Sequence, residues 1–102
     1  MASKNGRVNL TAATAADIIQ AGVSGGTFNV EILNRSGSTA IVQLGVSTAS
    51  QTFQGEGKLL EALILPANDT ATFKQIVLEA SQYIVGESDT TNVNMVAMGF
   101  DE

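Results

Sequence analysis

Between Thr27 and Val46 apolar and polar residues alternate with a period of two. Phe28, Val30 and Ile32 alternate with Asn29 and Glu31, and Ala40, Val42, Leu44 and Val46 alternate with Ile41, Gln43 and Gly45. Such a period turns one side of an extended chain to a core and the other to water or a partner. The residues between the two runs, Asn34-Arg35-Ser36-Gly37-Ser38, tolerate turn geometry or positive φ. Two strands joined as a central hairpin are therefore predicted.

The rest of the chain supplies further short elements. Residues 1–7 are polar and read as an arm that orders only when a neighbour holds it, so the chain divides into an N-terminal arm, 1–8, and a folded domain, 9–102. Ala12–Gln20 supports either a short helix capped by Thr11 or Thr14, or a strand. The β-branched Ile18 and Ile19 favour the strand. Thr48–Lys58 is a polar surface loop with one apolar anchor, Phe53. Leu59–Leu65 has spacing that suits helix and strand alike; its shortness selects strand, and Pro66 with Asn68-Asp69 ends it in a turn. Thr70–Leu78 is a strand with Phe73 in the core, Tyr83–Val85 a short strand, Gly86–Asn92 a loop and Val93–Phe100 the last strand. Alternation along that last strand sends one of Met95 and Met98 to the core and the other to the surface. About seven or eight short strands separated by turns describe an all-β domain, an antiparallel sandwich or a small barrel.

Composition narrows the function more than the fold. The chain has 102 residues, the size of one domain, and a formal net charge of −5. Its five cations, Lys4, Arg7, Arg35, Lys58 and Lys74, stand singly along the sequence. Gripping a phosphate backbone takes clustered cations, so direct nucleic-acid binding is not expected. No apolar run approaches the ~20 residues of a membrane-spanning helix, and no apolar stretch follows Lys4 and Arg7 as a secretory signal requires. Neither membrane partner nor secretion is expected.

Cysteine and histidine are both absent. Disulfides, thiolate nucleophiles, the usual neutral-pH base and the commonest transition-metal ligand go with them. Glu87 and Asp89 share a segment with Thr90, Thr91 and Asn92, but the ligand spacing of a calcium loop is missing and a solvated turn is expected. Gly22-Val23-Ser24-Gly25-Gly26 lacks the Lys-Ser/Thr ending of a phosphate loop and reads as a plain turn. Ser24 and Ser36 have no histidine base. No catalytic, cofactor-binding or metal-ligating residue is assigned, and no enzyme is expected; a carboxylate-based enzyme is the rival that a pH-dependent turnover would revive.

Protein–protein contact remains. Leu33 and Ile41 fall out of phase with the core-facing positions of the central pair, which puts both on the opposite face near the turn, where two adjacent apolar residues suit a subunit contact. The candidate partner-binding residues are Ala2, Ser3, Lys4, Asn5 and Arg7 of the arm, with Leu33, Asn34, Arg35, Ser36 and Ile41 around the turn.

The order of elements resembles that of small virion structural proteins of tailed bacteriophages. The likeness is carried by the Ile32–Ser38 strand end and turn, Ile41–Ser47 (IVQLGVS), Leu63–Asp69 with its Pro-Ala-Asn-Asp turn, Val77–Gly86 (VLEASQYIVG) and the C-terminal Val93–Glu102. The resemblance implies a small Ig-like or jelly-roll-like β-sandwich that decorates or cements a capsid. The alternative it leaves open is a neck, tail or fibre component with a receptor- or carbohydrate-binding role. It further implies the major capsid protein or other virion proteins as partners, self-association with a trimer favoured, and location in a virion assembled in the host cytoplasm.

Overall fold

The computed structural model describes residues 2–102. In chain order the strands are β1 (Ala2–Leu10), β2 (Ala16–Gln20), β3 (Gly26–Asn34), β4 (Ala40–Ser47), β5 (Lys58–Leu65), β6 (Thr70–Leu78), β7 (Tyr83–Ser88) and β8 (Val93–Asp101), with one 3-10 turn at Gly55–Gly57. They pair antiparallel as two four-stranded sheets of order β1-β8-β3-β6 and β2-β7-β4-β5. Every connection except β4–β5 crosses from one sheet to the other. That interleaving is the jelly-roll order, and the expected all-β sandwich is what the chain forms.

The core lies between the sheets and follows the alternation. Phe28, Val30 and Ile32 of β3, Ala40, Val42 and Leu44 of β4, and Val93, Met95 and Ala97 of β8 are all essentially inaccessible. Phe73 and Val46 pack against this cluster while partly buried. Met95 is interior and Met98 is 43% exposed, as alternation requires.

Three expectations are corrected. The pair 27–46 is no hairpin: β3 bonds to β8 and β6, whereas β4 bonds to β7 and β5. A period of two fixes which side chains face inward but not which strand accepts the ladder hydrogen bonds, so a chain crossing between sheets leaves the same pattern as a hairpin. The N-terminal segment is no arm either. Residues 2–8 belong to β1, which pairs with β8 over its whole length, from Ala2 with Asp101 to Leu10 with Val93; residue 1 lies outside the described residues. Polar side chains suit this strand because it is a sheet edge with one face in water. Finally, β7 runs to Ser88, so Glu87 sits on a strand, with Gln43 of β4 opposite, rather than in a loop.

The expected surface loop at 48–58 folds over the outside of the β2-β7-β4-β5 sheet. Asp17 of β2 accepts hydrogen bonds from the Ser50 hydroxyl and, at 2.7 Å, from the Gln51 amide. A Cβ on Gly45 would lie 3.2 Å from Phe53, and Val85, paired with Gly45, is fully covered. The outer face of this sheet is thereby partly roofed by the chain itself. Among the described residues the outer face of the other sheet carries no such cover.

Candidate interaction surface

The open face of the β1-β8-β3-β6 sheet is built in four cross-strand rows. Pairing aligns Ser3, Phe100, Thr27 and Val77 in one row and Asn5, Met98 and Asn29 in the next. Arg7, Val96, Glu31 and Thr72 form the third, and Asn9, Asn94, Leu33 and Thr70 the fourth. On β3 and β8 these residues alternate with core residues, and the pairing register carries the same orientation to β1 and β6, so sheet geometry turns all of them outward. Asn29 also caps a bulge in β6, its side-chain oxygen accepting from the Gln75 amide at 2.9 Å.

The face is divided chemically. At one end Val77, Phe100 and Met98 are 70%, 51% and 43% exposed, forming an apolar patch, and a shallow depression of about 470 Å³ is lined there by Phe100 and Met98 together with Ser3, Asn5 and Asn29. At the other end a smaller pocket of about 280 Å³ is lined by Arg7, Val8, Asn9, Arg35 and Asn94. Backbone bonds assemble this end: Arg35 donates to the Asn92 carbonyl at 3.0 Å, and Asn92 donates to Leu10 at 3.1 Å. Asn9 reaches across to the Asn92 side chain at 3.1 Å.

The candidate residues divide accordingly. Ser3, Asn5, Arg7 and Leu33 lie on this face, Arg35 at its rim, and Ala2 is exposed at the start of β1. Lys4 points to the other side of β1, donating to the Gln20 carbonyl at 2.6 Å and lying 3.1 Å from Asp101. Asn34 is fully buried and cannot touch a partner, and Ser36 is half-buried and bonded to it. Ile41 is exposed on the outer face of the other sheet, opposite Ile64 of β5. Leu33 and Ile41 therefore do not form one patch: they face away from each other because β3 and β4 belong to different sheets. Sequence reasoning missed Phe100, Val77, Val96 and Asn94 as surface-forming residues. The signal for three of them, Asn94, Val96 and Phe100, was their even parity with Met98 in a strand whose odd positions, Val93, Met95 and Ala97, are apolar.

Charge on the molecule is locally organised by two carboxylates. The Gly22 amide holds the Asp101 carboxyl below the usual carboxylate range against the opposing effect of desolvation, with the Lys4 ammonium adding smaller contributions in the same direction as Gly22. The Ile41 amide and then the Thr90 hydroxyl do the same for Asp89, which is thus engaged in structure. Among the described residues no three metal-ligating side chains gather, and no helix is long and apolar enough to cross a membrane.

No protein-family model and no curated protein matches the chain. Solved structures do. An adhesin domain of Lys-gingipain from Porphyromonas gingivalis superposes with a TM-score of 0.54 at 13% identity, covering 96% of this chain and 73% of that one. The Anabaena sensory rhodopsin transducer gives 0.50 at 16% identity over 86% and 91% of the two chains. An infectious bursal disease virus structure, Gx strain, gives 0.50 at 7% identity, covering 94% of this chain and 30% of the viral one. The likeness is one of fold.

Proposed function

We propose that the chain is a structural virion protein that binds and stabilises a phage capsid, a decoration or cement protein acting through protein–protein contacts. The observation that carries this reading is the uncovered β1-β8-β3-β6 face, with Val77, Met98 and Phe100 exposed on a domain whose core is otherwise complete. Exposed apolar residues grouped on one face are a feature of interaction sites, and repetition over a shell multiplies a modest contact. The jelly-roll order is shared with viral capsid domains, and a virus structure stands among the neighbours. Catalysis forms no part of the proposal, since the chain has neither histidine nor cysteine. The partners are the major capsid protein or other virion proteins, the location is the virion, and a trimer is the self-associated form that suits a threefold position.

Co-sedimentation of the purified chain with intact phage shells tests the reading. Saturable occupancy, raised resistance of the shell to heat, and loss of both on Phe100→Glu are expected. Shells that sediment bare at every concentration overturn it. A second reading, a neck, tail or fibre component that recognises a receptor or glycan, draws on the fold shared with the gingipain adhesin domain. Saturable binding on a glycan array, with no occupancy of shells, would select it.

A further inference from the structure

We infer that the pocket between Arg7, Arg35 and Asn94 is a carboxylate site, which takes an Asp or Glu side chain from an extended segment of a partner protein. The inference rests on the proposed adhesive role and supplies the chemistry of the partner.

The pocket collects the only two arginines of a chain whose net charge is −5. Neither forms an ion pair among the described residues, whereas Lys4 and Lys58 are paired with Asp101 and Glu61. The nearest acid on the same row as Arg7 is Glu31, two strands away with Val96 between them. Twenty-eight positions separate Arg7 and Arg35 in sequence (35 − 7), and the start of β8 brings them together through its backbone bonds to both neighbours. A planar guanidinium matches a carboxylate with two parallel N–H donors, so two free guanidiniums in one pocket select that group over a neutral ligand.

A second observation defines what accompanies the acid. The side-chain oxygen of Asn94, a residue that lines the same pocket, is covered by the protein and accepts no hydrogen bond among the described residues. A buried acceptor without a donor is costly, and a carboxylate has no proton to give. A peptide segment has one: the backbone N–H beside an Asp or Glu. One residue of a partner then meets both needs of the site, its carboxylate with the arginines and its amide with the Asn94 oxygen once binding uncovers it. An acidic sugar could also offer a carboxylate and a hydroxyl, but no aromatic ring lines the pocket for the sugar face. Phe100 stands six residues along β8 from Asn94, about 20 Å at the rise of a strand.

The test is an NMR titration of the isotope-labelled full chain with acetyl-Gly-Asp-Gly-amide, the same peptide with Asn for Asp, and D-glucuronate. The Asp peptide is expected to shift the Asn94 amide and the Arg7 and Arg35 side-chain signals saturably, about tenfold more tightly than the Asn peptide, and less so in high salt. Arg7→Gln and Arg35→Gln should each abolish the response while leaving the rest of the spectrum in place, since both side chains are exposed. An equal response to the Asn peptide, tighter binding of glucuronate, or a response that survives both substitutions overturns the inference. Failure here with shells still occupied leaves the virion reading standing; peptide binding with bare shells does the reverse.

Discussion

Asn34 shows how much one side chain decides at the residue scale. Its Nδ2 donates to the carbonyls of Ser38 at 2.7 Å and Leu65 at 2.9 Å, and its Oδ1 accepts from the Ser36 amide at 2.9 Å and the Ser36 hydroxyl at 2.6 Å. Its backbone adds bonds to Asp69 and Asn68. One buried amide thus ties the β3–β4 crossing to the end of β5 and the Pro66 turn. Asn34→Ala is expected to cost about 2–4 kcal/mol in urea unfolding, because buried partners lose their bonds together. Asn34→Asp should cost more, since it aims a carboxylate oxygen at two carbonyls; a milder effect than Ala would refute the assignment. The sequence marked Asn34 as a turn residue open to a partner, whereas it is the last residue of β3 and fully buried. Its parity with Phe28, Val30 and Ile32 was the available sign that it points inward.

Elements were legible in kind and illegible in partnership. Hydrophobic alternation located β3, β4 and β8, and turn residues bounded β5 and β6, because these signals are local. Which strands pair is settled by contacts far apart in sequence, so the crossing between sheets looked like a hairpin. Strand β1 was missed for a related reason: its polar residues lack an apolar face, yet β8 supplies the hydrogen bonds. Its position against β2 depends on Gly6, where an added Cβ would lie 2.2 Å from the Ile18 carbonyl oxygen. That atom is backbone and cannot swing aside. Gly6→Ala is therefore expected to lower stability by about 1–3 kcal/mol, the usual cost of overpacking. Gly55→Ala, with nothing within 4 Å of the new Cβ, is the near-neutral control. Equal stability of the two variants would mean that β1 does not seal that edge. The candidate surface was half legible by the same logic, since the polar β1 residues were chosen but the apolar ones beside them on β8 were not.

At the scale of the whole molecule, carboxylates fasten segments distant in sequence, and this predicts a loss of stability in acid. Asp101, on β8, accepts from Gly22 in the β2–β3 turn at 3.0 Å and pairs with Lys4 on β1. Asp89 follows β7 and accepts from Ile41 on β4 at 2.8 Å. Both carboxyls titrate lower in the folded chain than their ordinary value, with backbone amides as the first cause. A group whose folded pKa is depressed binds its proton more readily unfolded, so its contribution is complete above the unfolded value of about 3.9 and is lost as pH falls through the folded one. Urea midpoints should therefore hold level from about pH 7 to 5 and decline below about pH 4. The double variant Asp89→Asn, Asp101→Asn should be less stable near neutrality and show a shallower decline in acid. If the variant and the parent fall in parallel below pH 4, these two carboxylates are not what sets the acid limit.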